Sequence, residues 1–291
     1  MDLLTFDIEE WYRNYQKAGP EKNYYEYDCY LDAILNKLDE CGTKATFFCV
    51  GEMGRLFPEV VRKIHACGHE IGCHSNTHAW LNKMSEAECR EDTHCAVDSL
   101  EQCIGEKVRS YRAPAFSIGE KNKWAFKILA ENGIERDASI FPETRDFGGF
   151  SHFGQKTPCV VEYEGIRLKE FPICTTKVLG KEIAYTGGGY FRFFPLGFVE
   201  KEMKKSPYAM CYFHIGDLVP ESHGVMSKEA YEAYFKEKGT LKARYMRYVK
   251  SNIGKKSAFQ KMMKLIDGKD FVSLQQADAA LNWDSMAVVK M

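Results

Sequence analysis

The 291-residue chain has no apolar run approaching the roughly 18 residues of a membrane-spanning helix, which leaves a helical span without a candidate. It has no surplus of either charge: 40 Lys and Arg nearly cancel 41 Asp and Glu, so no global field argues for nucleic acid. It has no internal repeat and no low-complexity tract, which excludes solenoid and fibrous classes. Its eleven cysteines, scattered from Cys29 to Cys211, include no close pair at zinc-ribbon or redox spacing, and an odd number of thiols favours a reducing cytosol. No room for a leader precedes Leu3, where an apolar strand begins, so cytoplasmic placement is expected.

What is present is an ordinary globular composition, 45% hydrophobic, enough for one large α/β core. Strand-like runs ("LLTFDI", "KATFFCVG", "HEIGCH", "VRSYRAP", "ERDASI") alternate with helical ones ("YLDAILNKLDECG", "FPEVVRKIHACG", "SEAECREDTHCAVDSLEQCIG", "KWAFKILAENG"). This rhythm predicts a parallel sheet or barrel. After Pro142 a Gly- and aromatic-rich loop, 145–158, precedes "CVVEYEGIRLKEFPI", which reads as a hairpin turning at Glu164 and Gly165 and is expected as an insertion over one end of the sheet. "TGGGYFRFFP" reads as a tight bend, and the order resumes with helix "PLGFVEKEMKKSP" and strand "AMCYFHIGDL". We expect a single domain over 1–291, with a core of about 3–218 and 271–281 and a basic helical segment over about 227–267.

Three strand ends carry chemistry. The first, "TFDIEE", delivers Asp7, Glu9 and Glu10 to one place, and carboxylates so close need a positive partner, a metal ion above all. The second, "CHSNTHAW", places His74 and His78 four apart, a spacing at which two imidazoles can meet one ion. The third, "CYFHIGD", delivers His214. Each motif alone has a plain structural alternative: a capped helix, an exposed strand end, a core histidine.

Together with "YRAPAF", the ordered series resembles the polysaccharide deacetylase family, also called carbohydrate esterase family 4 or the NodB-homology domain, and "EFPI", "GGGYFR" and "FH" resemble its branch beside bacterial surface-polysaccharide genes. The resemblance implies a distorted (β/α) barrel with a hairpin insertion and a helical C-terminal extension. It implies Asp7 as catalytic base, Arg112 as the group that orients it, and Glu9, His74 and His78 as ligands of a divalent metal, with zinc the expected ion. It implies His214 as the acid and Asp137, in "RDASIFP", as the residue orienting that acid. Pro114 and Ala115 would form the oxyanion and substrate wall, with Trp80 beside the histidine pair as a further wall or core residue. Three positions depart from the usual pattern: Glu9 replaces an Asp, Ala115 stands where many members have Tyr, and Ile215 and Gly216 follow His214. Glu10 should point to the opposite face of the strand, as should Cys73, otherwise a tempting soft ligand.

The implied reaction is hydrolysis of the N-acetyl group of an acetamido sugar in a bacterial surface polysaccharide or its precursor, releasing acetate. Two rivals remain at this point: a cyclic amide or ureide hydrolase of the same superfamily, and a non-catalytic carbohydrate-binding relative. His65, His69 and His94 read as helix-end or surface residues, whereas His152 and His223 lie in loops that can reach a substrate. The Lys- and Arg-rich stretch from about Lys236 to Lys269 reads as an outer helix pair, or as a basic face for an anionic membrane or lipid-linked glycan.

Overall fold

The computed structural model describes residues 1–18, 25–144, 148–219, 224–235 and 237–291. Its strands, in chain order, are β1 (Asp2–Ile8), β2 (Thr46–Cys49), β3 (Glu70–Cys73), β4 (Ser110–Tyr111), β5 (Arg136–Asp137), β6 (Cys159–Tyr163), β7 (Ile166–Glu170), β8 (Thr176–Val178), β9 (Lys181–Ile183), β10 (Ala209–His214), β11 (Phe271–Val272) and β12 (Val288–Lys290). The main sheet runs β10-β1-β2-β3-β4-β5-β7-β6-β12, with β11 pairing the start of β1, while β8 and β9 form a separate ribbon. Strand β1 lies inside the sheet, and Leu3, Leu4, Phe6 and Ile8 are wholly buried, which explains why it reads as an unbroken apolar run rather than an alternating one.

Parallel pairing of β10, β1, β2, β3, β4 and β5 brings their C-terminal ends to one side of the sheet. The register sets His214 directly beside Asp7. Beyond the strands the same ladder continues, with His74 N–H donating to Cys49 O at 2.9 Å, Arg112 N–H to Cys73 O at 2.9 Å and Ala138 N–H to Tyr111 O at 2.9 Å. The long helix Glu86–Ile104 starts at a Ser85–Glu88 capping box and stops at left-handed Gly105, as its sequence predicts.

The hairpin turns where expected, with Glu164 at φ 43° and Gly165 at φ 81°, the pair of positive angles that suits the twist of the flanking strands. Its place differs from expectation: rather than lying over one end of the sheet, β7 pairs β5 and carries the main sheet onward through β6 to β12. Sequence defines a hairpin's turn, but its outer edges find partners only through long-range register.

The strand path ends at β10 and β12, so among the described residues the ladder does not close into a full barrel. Residues 171–187 span the gap by contacts instead. Phe171 N–H donates to Asp137 O at 2.8 Å, Ile173 N–H to Ile140 O at 2.8 Å, and at the far end Thr186 Oγ1 donates to Met210 O at 2.7 Å while Gly187 bridges Tyr212. The glycines of "TGGGYFRF" therefore serve a close approach to β10 as well as a bend.

Helices Lys228–Phe235, Leu241–Asn252 and Lys255–Asp267 make up the basic segment, of which Lys236 lies outside the described residues, as do 145–147 of the preceding loop. After them β11 returns to β1, and Leu274 N–H donates to Thr46 Oγ1 at 2.8 Å. Strand β12, beyond the expected core, pairs β6. No helix of the described residues is long and apolar enough to cross a membrane.

A Cβ on Gly187 would stand 2.4 Å from the Tyr212 ring and 2.5 Å from the Tyr212 carbonyl oxygen. Gly187→Ala is expected to destabilise by about 1–3 kcal/mol, seen as a lower urea midpoint at unchanged slope. Gly197→Ala, whose methyl meets nothing within 4 Å, should leave the midpoint unchanged or higher.

Candidate metal centre and active site

Strand β1 gives out at Ile8 and helix Glu10–Ala18 begins at once, leaving Glu9 at the junction on the C-terminal side of the sheet. From the end of β3 comes His74, and the following turn is unusual: Ser75 at φ 60° and His78 at φ 58° are both left-handed without being glycine. Such backbone persists only when its surroundings fix it. Here Ala79 N–H donates to Ser75 Oγ at 3.0 Å, Asn76 N–H to the Asp92 carboxylate at 2.9 Å, and the Ser75 carbonyl accepts Gly51 N–H at 2.8 Å. The turn swings His78 back toward His74, with ring centroids 5.2 Å apart.

His74 Nδ1 lies 2.7 Å from the Arg112 carbonyl, which can only accept, so Nδ1 carries the proton and Nε2 offers its lone pair. Glu9 Oε2, buried, makes close contact with His78 Nε2 and lies 3.9 Å from His74 Nε2. One donor atom from each of Glu9, His74 and His78 falls within 4.8 Å of the others. A buried carboxylate oxygen turned on two imidazoles fits a divalent cation, and the chemistry of this donor set suits zinc among others. Burial opposes ionisation of Glu9, but His78 and Arg13 outweigh it and hold the carboxyl well below its usual range. Burial pushes His74 down to about 4.

Glu10 does not reach solvent or a metal. It is buried, accepts Gly216 N–H at 2.6 Å, and burial beside Glu9 pushes it up to about 7. It props the first turn of the short helix Ile215–Leu218 rather than following strand alternation, because the strand has already ended. Cys73 stays inside the sheet, buried, with its thiol pushed well above the ordinary range by burial.

Arg112, fully buried, donates to Asp7 Oδ1 at 2.8 Å, Thr5 Oγ1 at 2.9 Å and Ala138 O at 3.2 Å, and lies over the Phe48 ring at 4.3 Å. Burial would raise Asp7, yet Arg112, His74 and His214 together keep its carboxyl below the usual range. Asp7 Oδ2 is 3.4 Å from His214 Nε2. The other nitrogen of His214 lies 3.4 Å from Asp217 Oδ2, and Asp217 is clamped by Arg192.

Asp137, expected to orient His214, has other partners among the described residues. That residue is wholly buried, accepts from Ser139 Oγ at 2.5 Å and shares its surroundings with Glu170. Ser139 Oγ in turn accepts Ala113 N–H at 2.8 Å, so Asp137 braces the loop carrying Pro114 and Ala115, and the carboxylate beside His214 is that of Asp217. The signal for Asp217 was in "HIGD": three residues on, in a helical turn, a carboxylate faces the imidazole. Burial pushes Asp137 up to about 6 and Glu170 well above its range, the mark of two carboxyls that cannot both ionise.

A cavity of about 540 Å³ opens on this cluster. Glu9, His78, His214, Trp80 and Ala115 form one wall, which places Trp80 at the site. Ala115, at φ 56°, is left-handed, and Pro114 is buried beneath the cavity surface. The basic segment lines the same cavity, a contribution not expected from its sequence. Arg244, Arg247, Tyr248 and Lys255 turn inward, and Arg13 lies beside Glu9. Among the remaining histidines, His152 is exposed beside Glu120, His94 is exposed, His65 is partly exposed, and His69 is buried, its Nδ1 accepting Ala45 N–H at 3.3 Å. His223 lies outside the described residues.

Residues 3–136 match the family model for polysaccharide deacetylase, and residues 138–279 match a domain of unknown function (DUF3473). A peptidoglycan-N-acetylglucosamine deacetylase of Bacillus cereus is 38% identical over 93 residues, 32% of this chain and 34% of its own. A chitooligosaccharide deacetylase of a Bradyrhizobium strain is 30% identical over 82 residues, 28% of this chain and 37% of its own. The chain thus spans about a third of the length of these curated relatives. The crystal structure of a Mycobacterium smegmatis protein described as a polysaccharide deacetylase superposes with a TM-score of 0.62 at 16% identity, covering 100% of this chain and 92% of its own, and shares the fold. The motifs from Asp7 to Arg112 lie in order within residues 3–136, the part of the chain that matches the polysaccharide deacetylase family model, and the metal-donor side chains among them gather at one end of the sheet.

Proposed function

We propose that the chain is a metal-dependent N-deacetylase that hydrolyses the N-acetyl group of an acetamido sugar in a bacterial surface polysaccharide or its precursor. The observation that carries the reading is the convergence at one end of the sheet of a metal-donor set, a carboxylate held below its usual range and an imidazole held above its own. Amide hydrolysis needs an activated water, a stabilised oxyanion and a proton for the departing amine. Glu9, His74 and His78 would hold a divalent metal, with zinc the expected ion, which would acidify water and polarise the acetyl carbonyl. Asp7 accepts the proton of the attacking water, its carboxylate fixed by Arg112. The Ala115 N–H donates to the developing oxyanion, and Trp80 walls the sugar. His214 gives its proton to the departing nitrogen; Asp217 holds it cationic until then.

We read the chain as one catalytic unit, since His214 and the cavity's cationic wall come from beyond residue 137. Eleven unpaired cysteines support a cytosolic setting, where a glycan would be met on a carrier. Peripheral contact with an anionic membrane is supported by the outer face of helix Leu241–Asn252 and the residue after it, where Leu241, Tyr245, Val249 and Ile253 are exposed at four-residue spacing beside Lys242 and Lys250.

Purified protein is expected to hold about one metal and release acetate from an acetamido sugar; Asp7→Asn should keep the metal and lose turnover by at least about 100-fold, and His74→Ala should lose both. Metal binding without acetate release across sugars, but with ureide hydrolysis, would move the activity to the ureide class; sugar binding without any turnover would make this a binding protein. In flotation at low salt, vesicles containing anionic lipid should carry the protein upward, and Val249→Glu should weaken this; absence of wild-type flotation would end the membrane reading.

Burial alone would lower His214, but Asp217, Glu9 and Asp7 overcome it and push it up to about 10. A folded-state value above the ordinary imidazole range means that this contribution to stability is complete below about pH 6.5 and is lost as pH rises through about 10. In metal-free protein the His214 ring should remain protonated at pH 8 by NMR, whereas in Asp217→Asn it should titrate closer to an ordinary imidazole. Identical titration in the two proteins would remove Asp217 from its assigned role.

A further inference from the structure

The cavity that opens on the metal centre carries an ammonium with no carboxylate beside it among the described residues. Glu9 is the only carboxylate among the described cavity-lining residues, and it is engaged with Arg13 and the imidazoles. Lys255 lines the same cavity at 8% exposure, and among the described residues no hydrogen-bond or ion-pair partner meets its ammonium. An ammonium on a largely buried stem that opens on a cavity without a counter-charge is placed for a ligand that brings one.

Two further observations point the same way. Lys255 is the first residue of helix Lys255–Asp267, whose N-cap, Gly254 at φ 75°, supplies no side-chain cap, so the positive end of a 13-residue helix reinforces the lysine. Gly254 is also held close to its neighbours, since a Cβ there would stand 2.5 Å from the Arg192 carbonyl oxygen. Arg244, lining the same cavity, donates to the carbonyls of Gly239 at 3.1 Å and Met226 at 2.9 Å, neutral acceptors, and the carboxylate that feels its charge, Glu229, does not line the cavity.

We propose that this basic lining of the cavity is an anion subsite and that the substrate is an acetamido sugar bearing a phosphate or pyrophosphate group, not a neutral glycan. The inference rests on the deacetylase reading of the same cavity: the acetamido group meets Glu9, His78 and His214 while the phosphate oxygens meet Lys255 and Arg244. A volume of about 540 Å³ lies within the about 300–1,000 Å³ usual for small-ligand sites, so one sugar with its phosphate is a fitting occupant. Phosphate is favoured over carboxylate because an arginine fork and a helix N-terminus both suit its several acceptor oxygens.

The test is calorimetric titration of chelator-treated full-length protein, in which no metal can ligate the phosphate, with N-acetylglucosamine and with N-acetylglucosamine 1-phosphate. The phosphorylated sugar should bind at least about tenfold more tightly, with an advantage that shrinks as salt is raised. Lys255→Met and, separately, Arg244→Gln should each pull that ratio toward one, with thermal unfolding reporting that each variant is folded. Equal affinity for the two sugars, a ratio unchanged in both variants, or an equal gain from an acetamido sugar bearing a carboxylate would each overturn the proposal. Arms with a nucleotide-linked and a polyprenyl-pyrophosphate-linked N-acetylglucosamine identify which source of phosphate is taken. Acetate release by metal-loaded protein is read separately, so a phosphate preference without turnover would fault the deacetylase reading and leave the subsite standing.

Discussion

The site is organised around a guanidinium that no solvent reaches. Arg112 binds Asp7 and Thr5 from β1, the carbonyl of Ala138 just beyond β5 and the face of Phe48 from β2, while its own carbonyl fixes the His74 ring beyond β3. Its side chain also contacts the sulfur of Met210 in β10. A buried ion pair of this kind contributes little net stability relative to an apolar replacement, but loss of one partner alone costs about 3–5 kcal/mol. What the pair gives is position: the Asp7 carboxylate, the His74 imidazole and the order of the strands are specified by one side chain.

Around that fixed charge the ionisable groups separate into complementary states. Asp7 is held below its range and His214 above its own, so the groups assigned as base and acid stand in the forms those roles require, 3.4 Å apart. Behind them Asp137 and Glu170 are pushed the other way by burial, and a carboxyl pair that retains a proton can act as hydrogen-bond donor as well as acceptor beneath the Pro114–Ala115 loop.

The sequence disclosed what depends on local spacing. The four-residue interval of His74 and His78, the strand end bearing Asp7 and Glu9, and the turn at Glu164–Gly165 all follow from neighbours in the chain. What it concealed depends on convergence. Asp137 matched a motif by position, yet whether it or Asp217 meets His214 is decided by the turn that follows β10. Likewise the basic residues near 244–255 could be read as a charged stretch, but which of them face inward depends on how helix Leu241–Asn252 is set against Arg192, which donates to Lys250 O at 3.1 Å and Ile253 O at 3.2 Å. The open edge of the hairpin was assigned to an insertion for the same reason: its partners, β5 and β12, lie outside any local window.

Arg192 has one further consequence. Its single guanidinium clamps Asp217, and through it His214, to the end of the helix that lines the cavity. The metal donors all lie before residue 137, whereas the acid, its clamp and the basic lining all come after it. During synthesis a nascent chain would therefore complete its metal-donor set early but lack a proton donor until β10 has been made and threaded beside β1, a pairing of high sequence separation and slow closure. On the proposed assignment, the cluster is complete only when the late half of the chain docks, so the order of synthesis separates the donor set in time from the imidazole that stands beside Asp7.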